Sequence, residues 1–359
     1  MKGLSHCWLP QYDRWSHIYH LDGRTDPNES LEYSDIYYSL NVLLGLSRTP
    51  KIPETINCHE IYSINAARLL RSPAPLYAYG MAIWCAAELN LDLPIDISRR
   101  LRSILADRDT WMTFRAQDLG LILIGVVAQA RRSRGEWPSK AGELFDHLRR
   151  FYLNDSKLFS DASNGPRRRF GTFSTQTYLT LACYVYAEFS GDPEALKLAK
   201  EASAKIISLQ GPNGEWPWLF DVSSGTIADY YEVYTVHQYG MAPAFLEHAE
   251  RQNVHGAREA LINGFHWVLG KNQLKKSMLV PELCLSFRSQ LRKGELHNRA
   301  VRLIRVLLAR ILGKRPSLLE ANKIDIRREC RSYELGWILW SFGARDDLPE
   351  ITEHVAFSN

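Results

Sequence analysis

The chain has 359 residues, 45% of them hydrophobic and 23% charged, a balance that suits a soluble globular protein of one large domain or two. Its net charge of +4 is small for that length and argues for no nucleic-acid partner. No window approaches an apolar run of membrane-spanning length. The opening MKGLSHCWLPQYDRW lacks the apolar stretch of a signal peptide, so the expected setting is the cytoplasm.

Residues 1–33 are polar and aromatic, with turns at Asp22-Gly23 and Pro27-Asn28, and read as an arm wrapped on a body. From Ser34 onward helical periodicity dominates and no convincing strand alternation shows. Two kinds of helix alternate. The first is rich in small residues and apolar nearly all round, as interior helices are: 34–46, 76–89, 115–131, 174–189, 234–250 and 331–342. Glycines at 80, 120, 125, 240 and 336 would let the backbones of such helices approach closely.

The second kind is amphipathic with one charged face: 59–71, 97–107, 140–152, 193–209, 256–269 and 297–312. Asp96 and Asp192-Pro193 supply start signals. Twelve helices in this order predict an all-α (α/α)6 toroid over 34–345, an inner barrel inside an outer one, followed by a tail at 346–359. A solenoid would need a steady repeat length, which is absent.

In such a ring the inner helices run parallel and open on one mouth. Their first turns carry Asp35, Tyr37 and Tyr38; Tyr77 and Tyr79; Arg115, Gln117 and Asp118; Ser174 to Gln176 and Tyr178; Tyr234 and His237 to Tyr239; and Arg331, Tyr333 and Glu334. Capping accounts for the Ser, Thr and Asp residues but not for the recurrence of tyrosine. Gathered helix N-termini favour an anionic or hydroxyl-rich ligand. Two unusual loops lead into the fourth and fifth inner helices. One carries Arg167-Arg168-Arg169, either an anion clamp or a solvated charge run. The other, Gln210 to Gly240, mixes Trp216 and Trp218 with Asp221, Asp229, Tyr230, Tyr231, Glu232, Tyr234, His237 and Tyr239, stacking faces beside acids and bases.

Within it, LQGPNGEWPW at 209–218 resembles the turn of α/α-toroid enzymes, in which Gln, Asn-Gly and Trp-Pro precede an inner helix. Toroid pectate lyases and the wider six-hairpin glycosidase, lyase and epimerase group carry similar segments; terpenoid cyclases and prenyltransferases are more loosely similar. The resemblance implies the toroid fold and a glycan, so the expectation is a carbohydrate-active enzyme with a small-molecule or oligosaccharide substrate, an acidic sugar handled by lyase, epimerase or hydrolase chemistry; a terpenoid- or prenyl-handling enzyme and a non-catalytic glycan-binding toroid are the alternatives. A glycosidase needs two carboxyl groups, with Asp118, Asp221, Asp229, Glu232 and Glu334 as candidates. A uronate lyase or epimerase needs a base, an acid and a cation. His237 with Tyr234 or Tyr231 would serve, with Arg115 or Arg169 on the carboxylate. The bland alternative makes His237 a satisfied core histidine. Arg168, Gln176, Trp216, Trp218, Asp229, Gln238, Tyr239, Tyr333 and Glu334 complete the candidate binding set.

A cyclase would be expected to show Asp-x-Asp-Asp, which is missing; Asp346-Asp347 falls in the tail. The six cysteines are scattered without a Cys-x-x-Cys pair, and Cys58-His59 has no second pair at ligand spacing, so neither metal nor cofactor is expected. Residues 297–314, HNRAVRLIRVLLARILGK, alternate arginines with an apolar stripe. The ring needs an outer helix here and the pattern is assigned that place; it equally suits a helix lying on an anionic membrane.

Overall fold

A computed structural model describes residues 1–71, 73–132, 135–294, 299–312 and 314–355, without the side chains of Arg299, Ala300, Arg310 and Ile311. His297, Asn298 and residues 356–359 of the expected last outer helix and tail lie outside it.

Six inner helices, Glu32–Leu46, Leu76–Glu88, Ala116–Arg132, Phe173–Ser190, Ala242–Arg251 and Ser332–Phe342, each pack on the next, and the last closes on the first. Their side chains are buried almost without interruption, including Leu40, Ile83, Leu123, Leu181, Phe245 and Trp337, which is why these segments read as apolar all round. Glycine sets the closest crossings. A Cβ on Gly80 would stand 2.5 Å from the Ile122 nitrogen, and one on Gly336 would stand 2.5 Å from the Asn41 carbonyl oxygen.

Outer helices Cys58–Leu69, Ile95–Ala106, Trp137–Phe151, Pro193–Ile207 and Ala257–Val268 pack outside the ring. Asn57 and Asp192 cap two of them by accepting the backbone N–H of Glu60 and Glu194. The sixth outer position departs from expectation. Arg299–Ile311 does not lie against the inner ring; Leu303 and Val306 instead pack on Phe170, Trp218, Leu219 and Tyr234 at the mouth. Its arginines explain the departure. Arg302 and Arg305 reach buried Glu232 and Asp229, adding to the arginines those carboxylates already hold, contacts that a place on the barrel wall would forgo. A short helix, Pro349–Thr352, packs on Ala257–Val268, and Lys2–His6 packs on the sixth inner helix.

Strands are also present, contrary to the sequence reading. Three antiparallel three-stranded sheets, among the described residues, feed the mouth. They join Phe170–Thr172, Leu219–Asp221 and Thr226–Asp229; Val233–Tyr234, Ser289–Arg292 and Ile324–Arg327; and Ile18–His20, Asn28–Glu29 and Glu329–Cys330. Strands of two to four residues are too short for a period-2 pattern to emerge. Each sheet delivers the chain into an inner helix, the fourth, fifth and sixth in turn.

Candidate active site

All six inner helices begin at one cavity of about 310 Å³. Tyr37 and Tyr38 come from the first start and Tyr77 from the second. Arg115 and Gln117 come from the third, Ser174, Thr175 and Tyr178 from the fourth, Tyr234 and His237 from the fifth, Arg331 and Tyr333 from the sixth. Trp218, Phe170, Asp161 and Arg167 enter from the mouth loops, Arg288 from beside a strand, and Leu303 from the helix above.

The fifth start is irregular. Thr235 and Val236 are helical, but His237–Met241 forms a π-helical turn before Ala242–Arg251, an insertion that re-aims side chains. His237 is buried, its ring centroid 5.0 Å from that of Tyr234 and 4.8 Å from that of Phe173. Its Nδ1 has no hydrogen-bond partner among the described residues. Burial first, and Arg288 second, push its pKa down to about 3, so the imidazole is neutral at working pH.

Arg288 is the hub of the opposite wall. It lies 5.0 Å from the Tyr234 ring centroid, and both terminal nitrogens stand 3.4 Å from the Tyr333 hydroxyl. It pairs with fully buried Glu334 and reaches Glu329 at 3.5 Å. Burial lifts Glu334 to about 7 against the pull of Arg288 and Arg331. Arg331 contacts Glu329 at 3.0 Å and the His17 Nε2 at 2.6 Å. Burial, then Arg331, lowers His17 to about 4, so Nε2 accepts from the guanidinium.

The phenols form a wall. Tyr77 meets Tyr37 at 4.7 Å between centroids, Tyr37 meets Tyr38 at 5.8 Å, and Tyr38 meets Tyr333 at 4.7 Å. Burial raises Tyr178 to about 12 and raises Tyr37, Tyr77 and Tyr333 as well. These four stay protonated and can donate to a ligand.

Besides the helix-start residues already named, the candidate catalytic and binding set places His237, Tyr234, Arg115, Trp218 and Tyr333 on the cavity wall. Others support it from behind. The Tyr234 hydroxyl donates to Glu232 at 3.1 Å, and Glu232 also binds Ser289, Arg302 and Arg327. Tyr239 donates to Glu334 at 3.2 Å. Gln238 braces Trp216, accepting its backbone N–H at 3.1 Å, while Trp216 itself is core. Gln176 exchanges two bonds with the Phe159 backbone.

The rest have other work. Asp118 accepts the backbone N–H groups of Arg115 and Tyr77, both at 3.0 Å, and is a cap. Tyr231 sits in a separate cluster and accepts from the Leu319 N–H. Asp229 pairs with Arg292 at 2.6 Å and with Arg305. Arg169 pairs with Asp221 at 3.2 Å, and Arg168 is exposed outside the cavity, so of the three arginines only Arg167 lines it.

Arg288, Asp161 and His17 went unread. They come from strand-side, loop and arm segments that carry no helical signal. Asp161 accepts from Thr175 at 2.5 Å and from the Thr172 N–H at 2.8 Å. It is the only acid among the described residues lining the cavity. No cluster able to hold a metal occurs among the described residues.

No protein-family model and no curated protein sequence matches the chain. Known structures do. Cellobiose 2-epimerase from Bacillus thermoamylovorans B4167 superposes at a TM-score of 0.69 with 9% identity, over 96% of this chain and 95% of that one. An inactive variant of the α-1,6-mannanase GH76A of Salegentibacter sp. HEL1_6, in complex with α-1,6-mannotetrose, gives 0.58 with 10% identity over 96% of each. Unsaturated glucuronyl hydrolase from Bacillus sp. GL1 gives 0.53 with 14% identity, over 97% of this chain and 94% of that one. Mouth geometry, ring closure and superposition agree: this chain has the (α/α)6 toroid fold that those carbohydrate-active enzymes share.

Proposed function

We propose that the protein is a carbohydrate-active enzyme that removes a proton beside the carboxylate of an acidic sugar or oligosaccharide, leading to epimerisation or β-elimination. The carrying observation is the charge balance of the cavity. Among the described residues, four guanidiniums, a neutral histidine and a wall of phenols line the cavity with a single acid that is already hydrogen-bonded, while Glu334 and Glu329 counter Arg288 and Arg331 from behind. Hydrolysis needs two carboxyl groups across the bond, and Glu232 and Glu334 are held by arginines behind the wall. A carbocation-forming cyclase reaction would have to run beside the guanidiniums of Arg115 and Arg167 as well as those of Arg288 and Arg331, which Glu334 and Glu329 neutralise in part.

In the proposed reaction Arg115 and Arg331 hold the carboxylate, and Trp218 and the phenols stack the ring. The incoming anion opposes the field of Arg288 and raises the proton affinity of His237. His237 then takes the α-proton. The C–H electron pair passes into an enolate that Arg288 and Tyr333 stabilise. The Tyr234 hydroxyl, turned from Glu232 to the ligand, returns a proton to the other face and gives the epimer, and exchange with solvent then takes the proton from His237 and restores the phenol. Alternatively the enolate expels the oxygen substituent on the β-carbon, which takes the Tyr234 proton and leaves as an alcohol, giving the unsaturated sugar. The protein works without metal or cofactor in this scheme, as one barrel domain with residues 1–33 as an arm that brings His17 to Arg331, in the cytoplasm.

Incubation with uronic acids and their oligosaccharides in deuterated water tests the proposal. Deuterium beside the carboxylate, or an ultraviolet-absorbing product, supports it. Glycosidic hydrolysis without exchange overturns it in favour of a hydrolase, and binding without turnover leaves only a glycan-binding toroid.

A further inference from the structure

The helix Arg299–Ile311 turns two different faces to its surroundings. Inward, Leu303 lines the cavity, Val306 packs on Phe170, Trp218 and Leu219, and the Arg302 guanidinium lies 4.1 Å from the Trp218 ring centroid. Outward, Val301, Ile304, Leu307, Leu308 and Leu312 stand 43%, 56%, 39%, 54% and 67% exposed. At three- and four-residue spacings these form one continuous stripe. An apolar stripe on a polar protein marks an interaction surface.

The stripe is set among cations. On one flank Arg168 and Arg169 stand beside Leu303 and Leu307. On the other, exposed Lys314 and Arg315 border Leu308 and Leu312 along a groove of about 800 Å³. A symmetric contact with a second copy would press like charges together. An anionic lipid surface satisfies both features, taking the apolar residues below the headgroups and the basic ones among them.

We propose that this outward face docks on an anionic bilayer, bringing the cavity mouth to the membrane plane, where a saccharide carried on a lipid would enter. Docking stands apart from the chemistry assigned to the cavity.

Flotation of the full chain with phosphatidylglycerol–phosphatidylcholine vesicles, and with phosphatidylcholine vesicles alone, tests it. The expected result is binding to the anionic vesicles only, weakened by salt as surface charges are screened. The double substitution Ile304→Glu/Leu308→Glu should reduce the bound fraction roughly tenfold or more. Lys314→Glu/Arg315→Glu should abolish the preference for anionic lipid. All four positions are exposed and outside the cavity, so an unchanged melting curve and unchanged affinity for a soluble uronate separate loss of docking from loss of fold or site. No binding to either vesicle, equal binding by the Ile304→Glu/Leu308→Glu variant, or a concentration-dependent dimer that this variant dissolves, overturns the proposal.

Discussion

His237 and Glu334 flank the same guanidinium, and burial moves them in opposite electrostatic senses. His237 keeps its proton off down to about pH 3. The acid limb of kcat/KM should therefore not fall at the ordinary imidazole value near 6.5. His237→Gln should lower solvent exchange by roughly 10²- to 10⁴-fold while leaving the melting temperature near the parent's; near-parental exchange would remove the residue from the mechanism. Glu334, lifted to about 7, gives the site a second pH response. As pH falls through that value the carboxylate takes a proton, Arg288 loses its neutralising partner and the cavity gains positive charge. Binding of an anionic sugar should tighten by up to about tenfold per pH unit in that window and weaken as pH rises. Glu334→Gln should hold the tight state across the window; calorimetric titration from below to above neutrality reads both. Most residues legible in advance were those on helix starts, where period and position combine; Trp218 and Arg167 were read from the composition of the mouth loops. His17 and Arg331 meet across almost the whole chain, and no local pattern announces such a pair.

At the scale of elements, the apolar helices announced themselves because their burial is complete on every side. Where they cross was legible from glycine alone. Gly80→Ala must push a methyl group into the Leu121–Ile122 backbone, which cannot move as a flexible side chain would. A loss of about 1–3 kcal/mol or more is expected, read by denaturant unfolding; a neutral effect would mean the two helices slide apart freely. The mouth strands were opaque because each is fixed by its partner strands and by the helix it feeds, not by its own sequence. The basic helix misled for a related reason. Amphipathicity states that one face is covered, not what covers it. Only the placement of Asp229 and Glu232 under Arg305 and Arg302 decides that.

Over the whole molecule, the ring is closed by contact between its first and last inner helices, where Gly45 and Gly336 meet. Elements distant in sequence therefore depend on each other, and the barrel should unfold as a unit. A chain ending at Arg331 lacks the closing helix. It is expected to show no cooperative thermal transition by circular dichroism, whereas a chain ending at Asp346 should keep one. Alternation of helix types foretold this closure. It could not foretell the three sheets and the basic helix that narrow one end, since those depend on loop packing.

Below the tyrosine wall the inner helices cross in contact, Gly80 against Ile122 and Gly45 against Gly336. Under the proposed function, a cavity of about 310 Å³ seats only a short saccharide, so the remainder of a longer glycan would lie outside it. On that reading short uronates should turn over at least as fast, per molecule, as polymers of the same sugar, and paired assays on both would check it.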